Sequence, residues 1–307
     1  MVRFITRWRI FCRERFPLLS HVVLLGFYTA ANACVAVSAV PPSVIPIFRL
    51  FGTSILVVTI FFHLRIFDEI KDFKIDFQVH RDRPLARGLI AVPEAKAVAA
   101  GLIALELCAA AVVGPAALVA ALCVAGYSLL MYKEFFIGAW LRPRLATYAL
   151  THTVVSCGIS VFIFSALTAR FFWEIPATYG WFVLVNWMIF NIFEFGRKTF
   201  GKAEEQDGVE SYSQRLGPER AAGNVALMAV VAQFVADKIG LRFNLGGGYA
   251  AAMYGLCGVL LVSCGLYAAH NDAKAGRLFR GVCSFYLLAY QVIVVAGFCA
   301  GGLRWQW

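Results

Sequence analysis

The sequence predicts an all-α integral membrane protein with nine transmembrane helices, and three observations lead there. Of its 307 residues, 61% are hydrophobic and only 15% charged, against about 45–50% and about 25% in soluble domains. Its apolar residues fall in runs long enough to span a bilayer, which takes about 20 residues each. Its basic residues crowd the loops of one side. The first observation excludes intrinsic disorder and speaks against a water-soluble enzyme, as does the mean hydropathy of +0.73.

The runs cover residues 16–38, 47–67, 95–113, 115–132, 146–168, 176–195, 219–240, 247–269 and 281–301. Gly114-Pro115 joins the third to the fourth as a tight helical hairpin. The segments are Ala/Leu-rich and lack polar–apolar alternation, so membrane strands are not expected. The first run is too long for a signal-peptide core and has no cleavage site before a soluble domain, so it is read as a retained span.

Lys and Arg number 28 against 18 Asp and Glu, a net charge of +10. Nine spans place 23 of the 28 on the side of the N-terminus and of the loops after spans 2, 4, 6 and 8. Only Arg49, Arg170, Lys238, Arg242 and Arg304 fall on the other side. This asymmetry makes the basic side cytoplasmic. The positive charge is therefore topological: no nucleic-acid partner is expected, while anionic lipid head groups or a phosphorylated substrate are. Eight of the nine cysteines lie within spans and none forms a CxxC, so they read as packing residues. Residues 1–307 form one membrane domain, whose longest polar stretches are 65–96 and 197–220.

The first stretch carries Asp68, Glu69, Asp72 and Asp76. The three aspartates, at i, i+4 and i+8, stack along one face if the segment is helical, where like charges repel unless cations neutralise them. Hard divalent ions bind through one or two carboxylates plus phosphate oxygens. With Arg81, Arg83 and Arg87 following, the pattern suits a Mg²⁺–diphosphate cradle. A solvated loop balanced by Lys71, Lys74 and the arginines is the competing account. Asp82-Arg83-Pro84-Leu85-Ala86-Arg87-Gly88 reads as a closing turn.

In the second stretch, Glu194 ends span 6, where an unpaired carboxylate is costly. Arg197 and Lys198 are its local partners. Glu204, Glu205 and Asp207 follow, then Ser211 and Gly217. Both clusters end even-numbered spans, so both face one side and can converge over one cavity.

Together these residues resemble the UbiA superfamily of intramembrane prenyltransferases, whose members have nine helices and acidic motifs in the loops after helices 2 and 6. The first family motif, approximately NDxxDxxxD and then RP(L/I)xxG, stands here as Asp68-Glu69-x-x-Asp72-x-x-x-Asp76 and Arg83-Pro84-Leu85-x-x-Gly88. Asp68 replaces its Asn and Glu69 its first Asp. The second, DxxxD-like motif is carried more loosely by Glu194 and the Glu204/Glu205/Asp207 group. The resemblance implies a polyprenyl diphosphate donor held through Mg²⁺, its chain in a lipid-facing tunnel, and an acceptor that is usually aromatic. It implies metal ligands among Asp68, Glu69, Asp72, Asp76, Glu194, Glu204, Glu205 and Asp207. Asp68, Asp72, Asp76, Arg83, Arg197 and Lys198 are the residues expected to carry catalysis.

Prenyl transfer is thus the expected activity; an intramembrane terpene cyclase and a non-catalytic transporter or lipid-binding protein are the alternatives. Among residues outside the motifs, His63 is expected to pack or to bond a carbonyl, Asn32 to hydrogen-bond between helices, and Arg13 and Arg15 to anchor the first helix. The expected location is a bacterial inner membrane with the acidic loops in the cytoplasm.

Overall fold

The computed structural model describes residues 4–40, 44–205 and 210–306. The described residues form thirteen α-helices. These are α1 Phe4–Arg15, α2 Leu18–Ala39, α3 Ile47–Val79, α4 Val92–Val113, α5 Pro115–Tyr132, α6 Gly138–Leu141 and α7 Leu145–Thr153. They continue with α8 Val155–Thr168, α9 Ala177–Arg197, α10 Tyr212–Leu216, α11 Pro218–Phe243, α12 Gly246–His270 and α13 Ala273–Ala300.

Among the described residues, eight helices, counting α7 and α8 as one, are long and apolar enough to cross a membrane. The sixth expected run is α9, 21 residues long. It falls outside that set because Asn186 and Asn191, together with its Trp and Tyr residues, dilute its apolar character. The expected hairpin is present: Gly114 takes φ 145° between α4 and α5, a backbone position that favours glycine, and Pro115 opens α5.

Three features depart from the sequence expectation. Helix α3 runs on through Val79 instead of ending near residue 67, so the acidic ladder is helical; basic side chains along it offset the repulsion. Helix α1 was not anticipated, being short and rich in arginine. It is held because Trp8 and Phe11 pack edge-on against Phe62 of α3, with centroids 6.2 and 6.1 Å apart. A parallel ladder pairs β1, Val44–Pro46, with β2, Arg304–Gln306; three residues a side are too few for a sequence signal.

The long helices form a ring in which each packs on the next, and α13 closes it against α2. Helices α2, α8, α9 and α13 also meet across the centre. Large apolar side chains such as Phe48, Leu105, Val112, Leu227 and Leu241 remain exposed around the outside, as suits contact with lipid. The chain is a multi-pass integral membrane protein.

The centre is polar, and its groups bond one another, with Gln291 Oε1 left without a partner among the described residues. Tyr179 donates to Asn32 Oδ1 at 2.9 Å, Asn186 donates to the same oxygen at 3.1 Å, and Gln291 donates to Asn186 Oδ1 at 2.9 Å. Asn32 thus bonds between helices as expected. Leaving a buried polar group unpaired is costly in such a medium, which favours this mutual bonding.

Candidate active site

The acidic face of α3 separates into free and committed carboxylates. Asp68 is 48% accessible and bonded only to Lys71, at 3.2 Å. Asp72, one turn further, has Lys71, Asp68, Asp76 and Arg83 as charged neighbours but no bonded partner among the described residues. Asp76 is buried and receives Arg83 at 2.6 Å. Arg83, expected to contact phosphate oxygens, is instead taken up by this carboxylate.

Glu69 faces away from this ladder. It is 2% exposed and clamped by Arg15 of α1 and Arg65 of its own helix, both at 2.7 Å. One residue after Asp68, it is rotated by about 100° around the helix, which aims it at α1. Arg15, expected to anchor the helix to the interface, instead makes this ion pair. Arg87 reaches α1 as well, bonding Glu14 through both terminal nitrogens at 2.9 Å.

The second cluster is charge-balanced. Glu194 pairs with Arg197 at 2.5 Å and Lys198 at 3.0 Å, as the i+3 and i+4 spacings imply. Glu205 accepts from the hydroxyls of Ser211, at 2.8 Å, and Ser213. Glu204 accepts from Arg280 of α13 at 2.7 and 2.9 Å. Asp207 lies outside the described residues.

The hydrogen bond from Arg280 holds the Glu204 carboxyl below its ordinary range, assisted by the Gly201 N–H and by Arg277 against the opposing effect of desolvation. Since its pKa is lower folded than unfolded, the stabilisation is fully present above the ordinary value of about 4.3 and is lost as pH falls through the lowered one. Melting temperatures of wild type and Glu204→Gln, taken from about pH 6 down to about pH 3, should converge with falling pH. A gap independent of pH contradicts this linkage.

The two clusters stand close to one another. Phe61, seven residues before Asp68 on the same face of α3, stacks on Phe190, four residues before Glu194 on α9; the centroids are 5.7 Å apart. Tyr28 of α2 meets both rings edge-on, at 6.5 and 5.4 Å. Above the rings, Asp68 is within electrostatic reach of Arg197. On the α5 side, a narrow cleft is lined by Phe67, Asp68, Lys71, Ser128 and Tyr132. A surface recess elsewhere, among Ser38, Phe243 and Phe298, has no charged residue in its lining.

Sequence reasoning missed several neighbours. Lys71, expected only as a balancing charge, lies between Asp68 and the Tyr148 ring, 5.3 Å from its centroid. Tyr148 stacks on His152 at 3.9 Å. His63 neither merely packs nor bonds a carbonyl: its Nδ1 meets the buried carboxylate of Glu106, 2.9 Å away. Glu106 was legible as the one acid deep within the third run. Tyr212 stacks on Phe195 at 4.1 Å and is fully buried, so it packs.

Among the described residues, no three His, Cys, Asp or Glu side chains stand close enough to hold one ion by themselves. Mg²⁺ does not need such a cage, because it takes one or two carboxylates and completes its shell with water and phosphate oxygens. Asp68 and Asp72 suit that role, one turn apart and neither bonded by an arginine. Glu69, Asp76, Glu194 and Glu204 are each committed to basic side chains.

Comparison with known proteins agrees with this architecture. None of the curated proteins compared matches the sequence. Solved structures do. A structure of digeranylgeranylglyceryl phosphate synthase superposes with TM-score 0.64 at 16% identity, covering 97% of this chain and 99% of that one. A UbiA homolog from Aeropyrum pernix K1 gives 0.63 at 17%, covering 91% and 97%. A UbiA homolog from Archaeoglobus fulgidus gives 0.57 at 13%, covering 94% and 99%. At these identities the likeness concerns the fold. The sequence profile of the UbiA prenyltransferase family matches residues 24–300, and with nearly the whole chain inside that match, the chain belongs to the UbiA prenyltransferase family.

Proposed function

We propose that the protein transfers a prenyl group from a prenyl diphosphate to an acceptor, aromatic by family habit, at the mouth between α3 and α9. The observation that carries this reading is the Phe61–Phe190 stack at 5.7 Å. It draws a carboxylate pair that no arginine binds, a cluster of basic groups and a bed of aromatic rings into one place.

Asp68 and Asp72 are the residues that would hold Mg²⁺. An ion held there would supply positive charge to the departing diphosphate. Arg197, Lys198 and Lys71 add positive potential around the leaving group, acting where water is scarce. Breaking the allylic C–O bond leaves a carbocation. Apolar walls around the mouth keep water from quenching it. The aromatic acceptor carbon then forms the new bond, and its ring proton passes to the released diphosphate, which restores the aromatic ring. Asp76, fixed by Arg83, and Glu69, fixed by Arg15 and Arg65, shape the mouth from behind. By the distribution of basic residues the mouth opens to the cytoplasm, in a bacterial inner membrane.

The test is diphosphate release by the purified full chain in nanodiscs, with Mg²⁺ and a panel of prenyl diphosphates, with and without phenolic acceptors. Products are identified by mass. Acceptor-dependent addition of the prenyl mass is the expected result. Release with a terpene product and no acceptor requirement makes the protein a cyclase. No release from any donor refutes enzymatic ionisation here.

A further inference from the structure

The aromatic bed beneath the mouth also closes it. Phe61 lies about 10 Å below Asp68 along α3, and Phe190 about 6 Å below Glu194 along α9. Their stack is backed by Tyr28, which is fully buried and meets both rings edge-on.

Tyr28 is not free to swing aside. Its hydroxyl donates to the Ser156 carbonyl at 2.8 Å and pairs with Ser160 Oγ at 2.7 Å. Ser160 is tied onward to Asn186 at 3.3 Å, and its carbonyl accepts from Tyr179 at 2.6 Å. Moving the ring would strip bonds from several fully buried polar groups, each costly to leave unpaired. Below the rings, Asn32, Tyr179, Asn186 and Gln291 of this network are fully buried.

Resting on the prenyl-transfer reading, we propose that Tyr28, backing Phe61 and Phe190, is the floor of the donor site and restricts it to short prenyl diphosphates. A ten-carbon prenyl chain has a backbone of seven bonds of ~1.5 Å and extends about 9 Å. That matches the depth from Asp68 to Phe61. A twenty-carbon chain extends about twice as far and meets Tyr28. Tyr28 is thus a specificity-determining residue. It takes no part in bond breaking.

The experiment measures binding, so it does not depend on turnover. Prenyl diphosphates of ten and twenty carbons, with sulfur in place of the ester oxygen to prevent ionisation, are titrated calorimetrically into the full chain in nanodiscs with Mg²⁺. Wild type should bind the longer analogue about tenfold more weakly, as expected when an extra segment is forced into a packed site. Tyr28→Ala should bring the two affinities within about threefold. Tyr28→Phe, which keeps the ring, should retain the wild-type ratio. Phe190→Ala, at a half-buried ring with no hydrogen bond to lose, gives a second opening should Tyr28→Ala fold poorly.

Equal affinity for both lengths in wild type, or an unchanged ratio in Tyr28→Ala and Phe190→Ala, overturns the proposal; the tail then leaves the mouth sideways. A length step in binding that Tyr28→Ala removes, without turnover of any donor, upholds the floor and refutes the transferase reading. Failure to bind either analogue overturns both.

Discussion

Asp72→Ala lowers the rate of diphosphate release about a thousandfold, the scale seen when a group stabilising transition-state charge is removed, while leaving the melting temperature unchanged or slightly raised. The two halves of this expectation have separate causes. Asp72 is a free oxygen donor at the mouth, so removing it removes half of the proposed ion site. It has no bonded partner, and its nearest charges on α3 include Asp68 and Asp76, one turn away on either side. Like charges at that spacing oppose helix formation, so the substitution relieves strain in the folded chain. Asp76→Ala is the contrasting case, because it also orphans Arg83 and should cost stability. Parallel assays of release and thermal melting check both. Turnover retained by Asp72→Ala would remove the α3 ladder from the chemistry.

Glu69→Ala has its largest effect on stability. The substitution leaves Arg15 and Arg65 facing each other with nothing between them. Breaking a buried ion pair by deleting one partner costs about 3–5 kcal/mol, and here two cations lose one anion. The melting temperature should fall, and trypsin should cut more readily at Arg9 and Arg13, which are exposed on α1. Glu69→Gln, which keeps an acceptor of the same shape, should recover part of the loss. An unchanged melting temperature, with a higher Mg²⁺ requirement for turnover, would instead make Glu69 an ion ligand.

Much of this was legible in one sequence. Hydropathy runs placed the long helices because bilayer thickness imposes a length that composition reveals. The i, i+4, i+8 aspartates disclosed a shared face before any coordinates, and Glu194 announced its partners through the helical spacing of Arg197 and Lys198. What escaped was settled by contacts far apart in sequence. Nothing local says that Glu69 turns towards Arg15, 54 residues away, or that Glu204 is taken by Arg280, 76 residues away. The family motif presents these acids as equivalent, whereas the fold distinguishes them by what approaches from other helices. Helix α9 shows the opposite limit: a composition measure undervalues it because Asn186 and Asn191 are polar, although the bundle buries both completely.

The central polar network also has a consequence for biogenesis. Asn32 enters with the first long helix, its partners Tyr179 and Asn186 with α9, and Gln291 only with α13, 105 residues after the asparagine it bonds. During synthesis the early helices therefore carry unpaired amides into the membrane and cannot reach their final packing until the last helix is released. Chains stalled before α13 are left with an open ring and a dangling Asn186 acceptor, the kind of defect that a membrane quality-control protease can recognise.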